Sequence, residues 1–230
     1  TPLRVAYLPK ISQNIHKARR MFNVAMAKVD YNGDYNYCYC TKSSHFSFVM
    51  EEVLKNGVHL ETSSAFDINI MESLYEQGLL KPDTYVICNG FKRPQYVENI
   101  QNLIRQGFTN VIPILDNKFE LDLFLKDFDN PFKVGIRIAA EEEPKFDFYT
   151  SRLGVRYNDI IPYYTKHIAN NPQVELKMLH FFINTGVKDT AYYWNELNKA
   201  VNLYCELKKK CPQLDSLNIG GGFPIQTHLD

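Results

Sequence analysis

KVGIRIA, residues 133–139, is the stretch on which the architecture turns. Read as a β-strand, its side chains alternate across the sheet. Val134, Ile136 and Ile138 then share one face, and Lys133, Gly135 and Arg137 share the other. One face is large and apolar, and its opposite is small or charged. YCYCTK at 37–42 repeats the split, with its tyrosines and Thr41 set against Cys38, Cys40 and Lys42. LNIG at 217–220 sets Leu217 and Ile219 against Asn218 and Gly220. A parallel strand in an open sheet covered by helices on both sides is apolar on both faces. A barrel whose narrow interior opens into a polar site gives the asymmetry instead.

Working outward, β-rich runs alternate with segments of helical period. Strands are predicted at 37–42, 58–63, 85–89, 111–115, 133–139, 177–184 and 216–219, after a leading extended segment, PLRVAYL. Helices are predicted near 11–29, 47–56, 66–77, 94–106, 118–127, 157–169 and 190–210. In the first, Ile11, Ile15, Ala18, Phe22 and Ala25 fall at helical spacing; in the last, Trp194, Leu197, Val201 and Tyr204 make the apolar stripe. Such alternation implies parallel strands joined by right-handed crossovers. The expected fold is α/β: a (β/α)8 TIM-type barrel with about seven strands, residues 1–230 forming one partial barrel domain.

The 26 basic residues balance the 26 acidic ones, so no broad field favours nucleic acid or an anionic membrane. No run approaches the roughly 18 apolar residues of a membrane helix. The start lacks the pattern of a secretory signal, and it is not Met, so a processed or excised piece is one reading. Five cysteines are an odd number for a disulfide framework, which favours reduced thiols and a cytoplasmic setting.

Several residues carry chemistry. Cys38 and Cys40 lack further cysteines at ligand spacing, so no metal site is expected. Lys42 ends its strand, where barrel enzymes keep reactive groups. It is either a surface lysine or an amine whose pKa can be lowered for covalent work. In LNIGGGFP, 217–224, Gly220, Gly221 and Gly222 offer backbone N–H groups unobstructed by side chains. That suits an anion such as phosphate, or simply a tight turn. Glu61 ends strand two, Arg137 lies in strand five, and His180 and Phe182 share a face of strand six, with Thr185 just beyond. A strand histidine is more often a hydrogen-bonded core residue, and an aromatic beside it more often packing. Together, however, these groups could hold a phosphorylated aldehyde cofactor and stabilise a carbanion.

These motifs, in this order, resemble the fold-III pyridoxal-phosphate decarboxylases, the family of ornithine, diaminopimelate and biosynthetic arginine decarboxylases, whose barrel is of the alanine-racemase-like type. YCYCTKSS is similar to the family's Tyr-Ala-x-Lys-x-Asn strand, which implies Lys42 as the Schiff-base lysine. HLETSSAFDI resembles its Phe-Asp-x-x-Ser segment, with Glu61 as the acid near that lysine. VGIRIA implies Arg137 near the cofactor's phenolic oxygen. LHFFINTG and LNIGGGFP resemble its His-Phe-His-x-Gly-Ser strand and Asp-Ile-Gly-Gly-Gly-Phe-Pro loop. They imply cofactor contacts from His180, Phe182, Thr185 and Gly220–Gly222. TPLRVAYL is similar to the segment that enters the family's barrel. ICNGFK and RLGVRY are most similar to arginine decarboxylases.

Three positions depart from the family pattern: Phe182 stands where a stacking histidine is usual, Asn218 where an aspartate is, and Ser44 where an asparagine is. The family's Glu-Pro-Gly-Arg strand and C-terminal β-domain have no counterpart in these residues. The expectation is therefore a piece of a longer enzyme, inactive alone. The implied reaction is decarboxylation of a basic amino acid, arginine to agmatine, as in polyamine biosynthesis. Ornithine, lysine or diaminopimelate are alternative substrates. The implied assembly is a homodimer or larger homo-oligomer. The rival readings are a non-catalytic pyridoxal-phosphate carrier and a barrel with another ligand.

Overall fold

The computed structural model describes residues 5–140, 153–183 and 190–223. Among them, seven strands alternate with α-helices, and the chain divides into two compact units. One unit comprises Thr1–Cys88 and Glu98–Val111, the other Asn89–Val97 and Ile112–Asp230.

In the first unit the order is α1 (Pro9–Ala27), β1 (Cys38–Cys40), α2 (Ser47–Leu54), β2 (His59–Thr62), α3 (Ala65–Glu76) and β3 (Val86–Cys88). It also holds most of α4 (Pro94–Arg105). Helix α1 opens on a proline, whose missing N–H would have had no intrahelical acceptor there. Ile15 of α1 packs with Val49, Val53 and Val58, and Tyr37 and Tyr39 lean on that cluster. The tyrosines around β1 therefore face the helices, as strand alternation requires. Strands β1, β2 and β3 are parallel neighbours, with Cys40 beside Glu61 and Glu61 beside Ile87. A capping box between Ser64 and Asp67 starts α3.

The second unit runs through β4 (Val111–Leu115), α5 (Glu120–Leu125), β5 (Phe132–Ile138), α6 (Tyr157–His167), β6 (Val174–Phe181), α7 (Thr190–Lys208) and β7 (Ser216–Asn218). Each strand is parallel to the next. In neither unit does strand order reverse, as it would at the switch point of a doubly wound sheet. Between β5 and β6 the register shifts: Val134 pairs with Leu176, but Gly135 pairs with Met178. Lys177 is the extra residue, and it joins Glu175 and Asp215 in a partly exposed ion-pair group. Because a one-residue slip reverses every side chain, this bulge is what sets Arg137 beside His180, with His180 in turn beside Asn218.

Two expectations need correction. Strand β1 stops at Cys40, and Thr41–Ser43 form a 3-10 turn closed by Ser44 N–H donating to the Thr41 carbonyl (3.1 Å). Lys42 thus sits in that turn, exposed, just past the strand rather than at its last position. In α7 the buried stripe is Tyr193, Glu196, Ala200, Leu203 and Leu207, while Trp194 is 58% exposed and Val201 40%. The two stripes lie one residue apart on the helix. Glu196 conceals the true one, because a buried carboxylate reads as a surface letter until its pairing with Lys199 (2.9 Å) is seen.

Candidate active site

In the first unit, the turn bearing Lys42 is tied to its neighbours on three sides. Thr41 Oγ1 donates to the Glu61 carbonyl (3.1 Å), Cys40 Sγ approaches Glu61 Oε1 (3.6 Å), and Tyr39 OH donates to the Ser44 carbonyl (3.2 Å). Just beyond, His45 Nε2 meets Asp67 Oδ1 at 2.8 Å. The other Asp67 oxygen accepts from the Ser63 and Ser64 N–H groups and from Ser63 Oγ. Burial raises the Asp67 pKa, but the Ser63 N–H and the His45 bond outweigh it and hold the carboxyl below its ordinary value. Burial, reinforced by Glu61, pushes the Cys38 thiol up to about 12 and the Cys40 thiol to about 11. Among the described residues no group of three His, Cys, Asp or Glu could hold a metal ion.

In the second unit, Arg137, His180 and Asn218 form one cross-strand row. The imidazole is held at both nitrogens. Nδ1 faces the Asn218 carbonyl (3.3 Å) and so carries the proton, while Nε2 accepts from Asn89 Nδ2 (3.2 Å). Two residues further along, Phe182 presents its ring to the Arg137 guanidinium, 5.9 Å from the centroid, within cation–π range. Phe181, on the opposite face, packs against Tyr193 of α7. The glycine loop follows β7 directly. Gly220 has φ +70°, and a Cβ there would lie 2.7 Å from the Phe181 carbonyl, so only glycine fits. Its N–H donates to Asn218 Oδ1 (2.9 Å). Gly222 is also left-handed (φ 78°). At Gly221 a Cβ would meet nothing within 4 Å, so the loop backbone borders open space. Thr185 lies outside the described residues.

Sequence reading passed over two neighbours of this row, Asp116 and Asn89, and the ion pair behind Asp116. Asp116 follows β4 directly, and its carboxylate lies 3.7 Å from Arg137 Nη1. Asn89 follows β3. Lys92 and Glu120 form a buried ion pair (3.6 Å). The signal available was the one applied to Glu61: a polar residue at the carboxyl end of a strand.

Parallel strands alternating with helices, with polar and charged side chains at or just past their carboxyl ends, define the class of α/β barrel domains. More narrowly, the chain belongs to the pyridoxal-dependent decarboxylases: the family of their pyridoxal-binding domain matches residues 11–230. Arginine decarboxylase 2 of Arabidopsis thaliana is 25% identical over 97% of this chain and 33% of its own length. The chain thus spans about a third of that relative. The crystal structure of the biosynthetic arginine decarboxylase from Campylobacter jejuni superposes with a TM-score of 0.73 at 22% identity, covering 95% of this chain and 36% of that one. Diaminopimelate decarboxylase from M. jannaschii, solved with L-lysine, gives a TM-score of 0.80 at 20% identity over 100% of this chain and 53% of that one. The fold is therefore α/β of the barrel type found in these decarboxylases, with seven strands described.

Proposed function

We propose that this chain is the cofactor-holding barrel part of a pyridoxal-phosphate-dependent decarboxylase of a basic amino acid, arginine being the substrate and agmatine the product. Family membership and the arginine decarboxylase relatives support the reading. The observation that carries it is the row Arg137–His180–Asn218 with Phe182 and the glycine loop directly beyond. A flat aromatic face beside a buried cation, next to glycines bordering open space, fits a ring that bears an anionic oxygen and a phosphate.

When bound, that cofactor supplies an electron sink for the pair left behind as carbon dioxide departs. The chain's residues supply the rest. Lys42 would hold the cofactor through its amine, and the Glu61 carbonyl, accepting from Thr41 Oγ1, fixes the turn that carries it. Arg137 would compensate the ring's oxygen, and the Gly221 and Gly222 N–H groups, with the Thr185 hydroxyl, would receive the phosphate, Gly220 shaping the loop with its own N–H held by Asn218 Oδ1. Phe182 stacks but has no proton to give. His180 has committed its Nδ1 proton to Asn218 and its Nε2 lone pair to Asn89, so its role is to brace the row. We further propose a cytoplasmic homodimer or larger homo-oligomer; all five cysteines are free thiols in support of the compartment.

The test uses the full-length protein saturated with pyridoxal phosphate. Borohydride reduction and peptide mapping should place a pyridoxyl group on Lys42. Carboxyl-labelled arginine should release carbon dioxide faster than ornithine, lysine or diaminopimelate. A label on another lysine refutes the anchor. Labelling of Lys42 with silence on all four amino acids refutes the decarboxylase and leaves a cofactor carrier.

A further inference from the structure

Among the described residues of the second unit, Asp116 has a buried carboxylate with no hydrogen bond to either oxygen. Buried carboxylates normally take two or three. The group that faces it is Arg137, itself only 7% exposed, with Nη1 at 3.7 Å, an ion pair too long to be a hydrogen bond.

The backbone around Asp116 is fixed from two directions. Its N–H donates to Glu120 Oε2 (2.8 Å), and its carbonyl accepts from Gly154 N–H (2.7 Å). Glu120 is spanned in turn: Oε1 accepts the Lys92 N–H (3.1 Å), and the Lys92 ammonium lies 3.6 Å from Oε2. That ammonium also donates to the Gly90 and Ile114 carbonyls. Two cations and two anions are thus buried in one chain of contacts running Lys92, Glu120, Asp116, Arg137. Its far end is the guanidinium that faces Phe182.

We propose that Asp116 is the positioning residue of the cofactor site, holding Arg137 against Phe182, and that the Lys92–Glu120 pair sets Asp116. An arginine at this depth has a long side chain with several rotamers. A fixed carboxylate on one side and an aromatic face on the other select one of them. The arrangement keeps both carboxylate oxygens clear of competing donors, so Arg137 faces an undivided negative charge. This role rests on the cofactor reading above.

The test is a double-mutant cycle in the full-length protein, with pyridoxal phosphate affinity read from the absorbance of bound cofactor and unfolding midpoints read in its absence. Asp116→Asn should weaken binding about tenfold in the native background and not at all when Arg137→Met is already present. In the absence of cofactor, each single change should lower the unfolding midpoint and the pair should recover part of the loss, since no lone charge remains. Glu120→Gln, a milder change two contacts removed, should weaken binding about threefold, again only while Arg137 is present. If Asp116→Asn proves too unstable to titrate, the Glu120→Gln cycle decides. Affinity losses that simply add, or a stability loss with unchanged affinity, overturn the Asp116 role alone. Wild-type protein that takes up no pyridoxal phosphate overturns the function proposed above and this role with it.

Discussion

The two units treat buried polar groups in opposite ways. In the first, Asp67 accepts from four donors, Thr41 Oγ1 reaches the Glu61 carbonyl and Thr62 Oγ1 the Ile87 carbonyl. In the second, among the described residues, Asn89 Oδ1, both Asp116 oxygens and the Tyr193 hydroxyl are buried with no hydrogen-bond partner. Unsatisfied buried polar atoms cost stability, and folds keep them where function uses them. The difference therefore assigns the units separate tasks. The first is a satisfied bracket that presents an exposed amine on a pinned turn. The second leaves Asn89 Oδ1 and the Asp116 carboxylate without hydrogen bonds beside His180 and Arg137, the row proposed above to meet the cofactor. The acids repeat the contrast: bonds to N–H groups hold Asp67 below its ordinary pKa, whereas burial raises that of Glu120.

The largest expected effect comes from filling the backbone clearance beyond β7. Gly220→Ala forces a side chain into a left-handed conformation and against the Phe181 carbonyl. It should cost about 3 kcal/mol, read from urea unfolding. Gly221→Ala, facing open space, should leave stability within about 0.5 kcal/mol. It should nevertheless weaken pyridoxal phosphate binding on the order of tenfold, because its Cβ enters the proposed cradle. If Gly221→Ala binds as the native protein does, the second unit's open space is not the phosphate site.

In the first unit, the expected loss is of stability and not of affinity. Asp67→Asn gives up charge-assisted bonds at the start of α3 and should cost about 2 kcal/mol at neutral pH. The sign of its pH dependence follows from the shift. The folded carboxyl titrates below its ordinary 3.8, so its contribution is complete above that value and is lost as pH falls through the lower folded one. The gap between native and variant should therefore close as the pH falls through that lowered folded value. A gap that stays constant into acid would show that the Asp67 charge contributes nothing.

Much of this was readable from the residues. Val111–Leu115 is a strand with the bounds its composition predicts, since a buried β-branched run stands between Asn110 and Asp116. The shared face of Arg137 on its strand, and of His180 and Phe182 on theirs, follows from alternation alone. That alternation held on β6 only because the predicted strand began at Lys177, the bulge itself; a start at Val174 would have reversed the assignment. The bulged Lys177 is met by Glu175 and by Asp215, the latter distant in sequence, and the bulge has no local signal. Asp116, Asn89 and the Lys92–Glu120 pair were missed for a related reason. Their importance lies in what they face across the sheet, and a sequence shows only what they follow. The α7 face was misread because Glu196 is buried, a fact that depends on its ion pair.

The smallest effect separates the units by its sign. Tyr193 is only 7% exposed, its ring packed among Phe181, Trp194 and Phe223, and burial pushes its pKa up to about 12. Among the described residues its hydroxyl has no hydrogen-bond partner. Leaving such a group unmade costs about 1–3 kcal/mol, part of which Tyr193→Phe should recover. The small void left behind offsets the rest, so a net gain of up to about 1 kcal/mol is expected, seen as a higher urea midpoint with an unchanged slope. Tyr39→Phe in the first unit removes a hydroxyl that does donate, to the Ser44 carbonyl at 3.2 Å. It should lose about 1 kcal/mol. The two substitutions remove the same atom, from a buried hydroxyl without a hydrogen bond at Tyr193 and from a part-buried one that donates at Tyr39. Equal losses at both positions would mean that the units do not differ in how their polar atoms are compensated, and the contrast between the two units would fall.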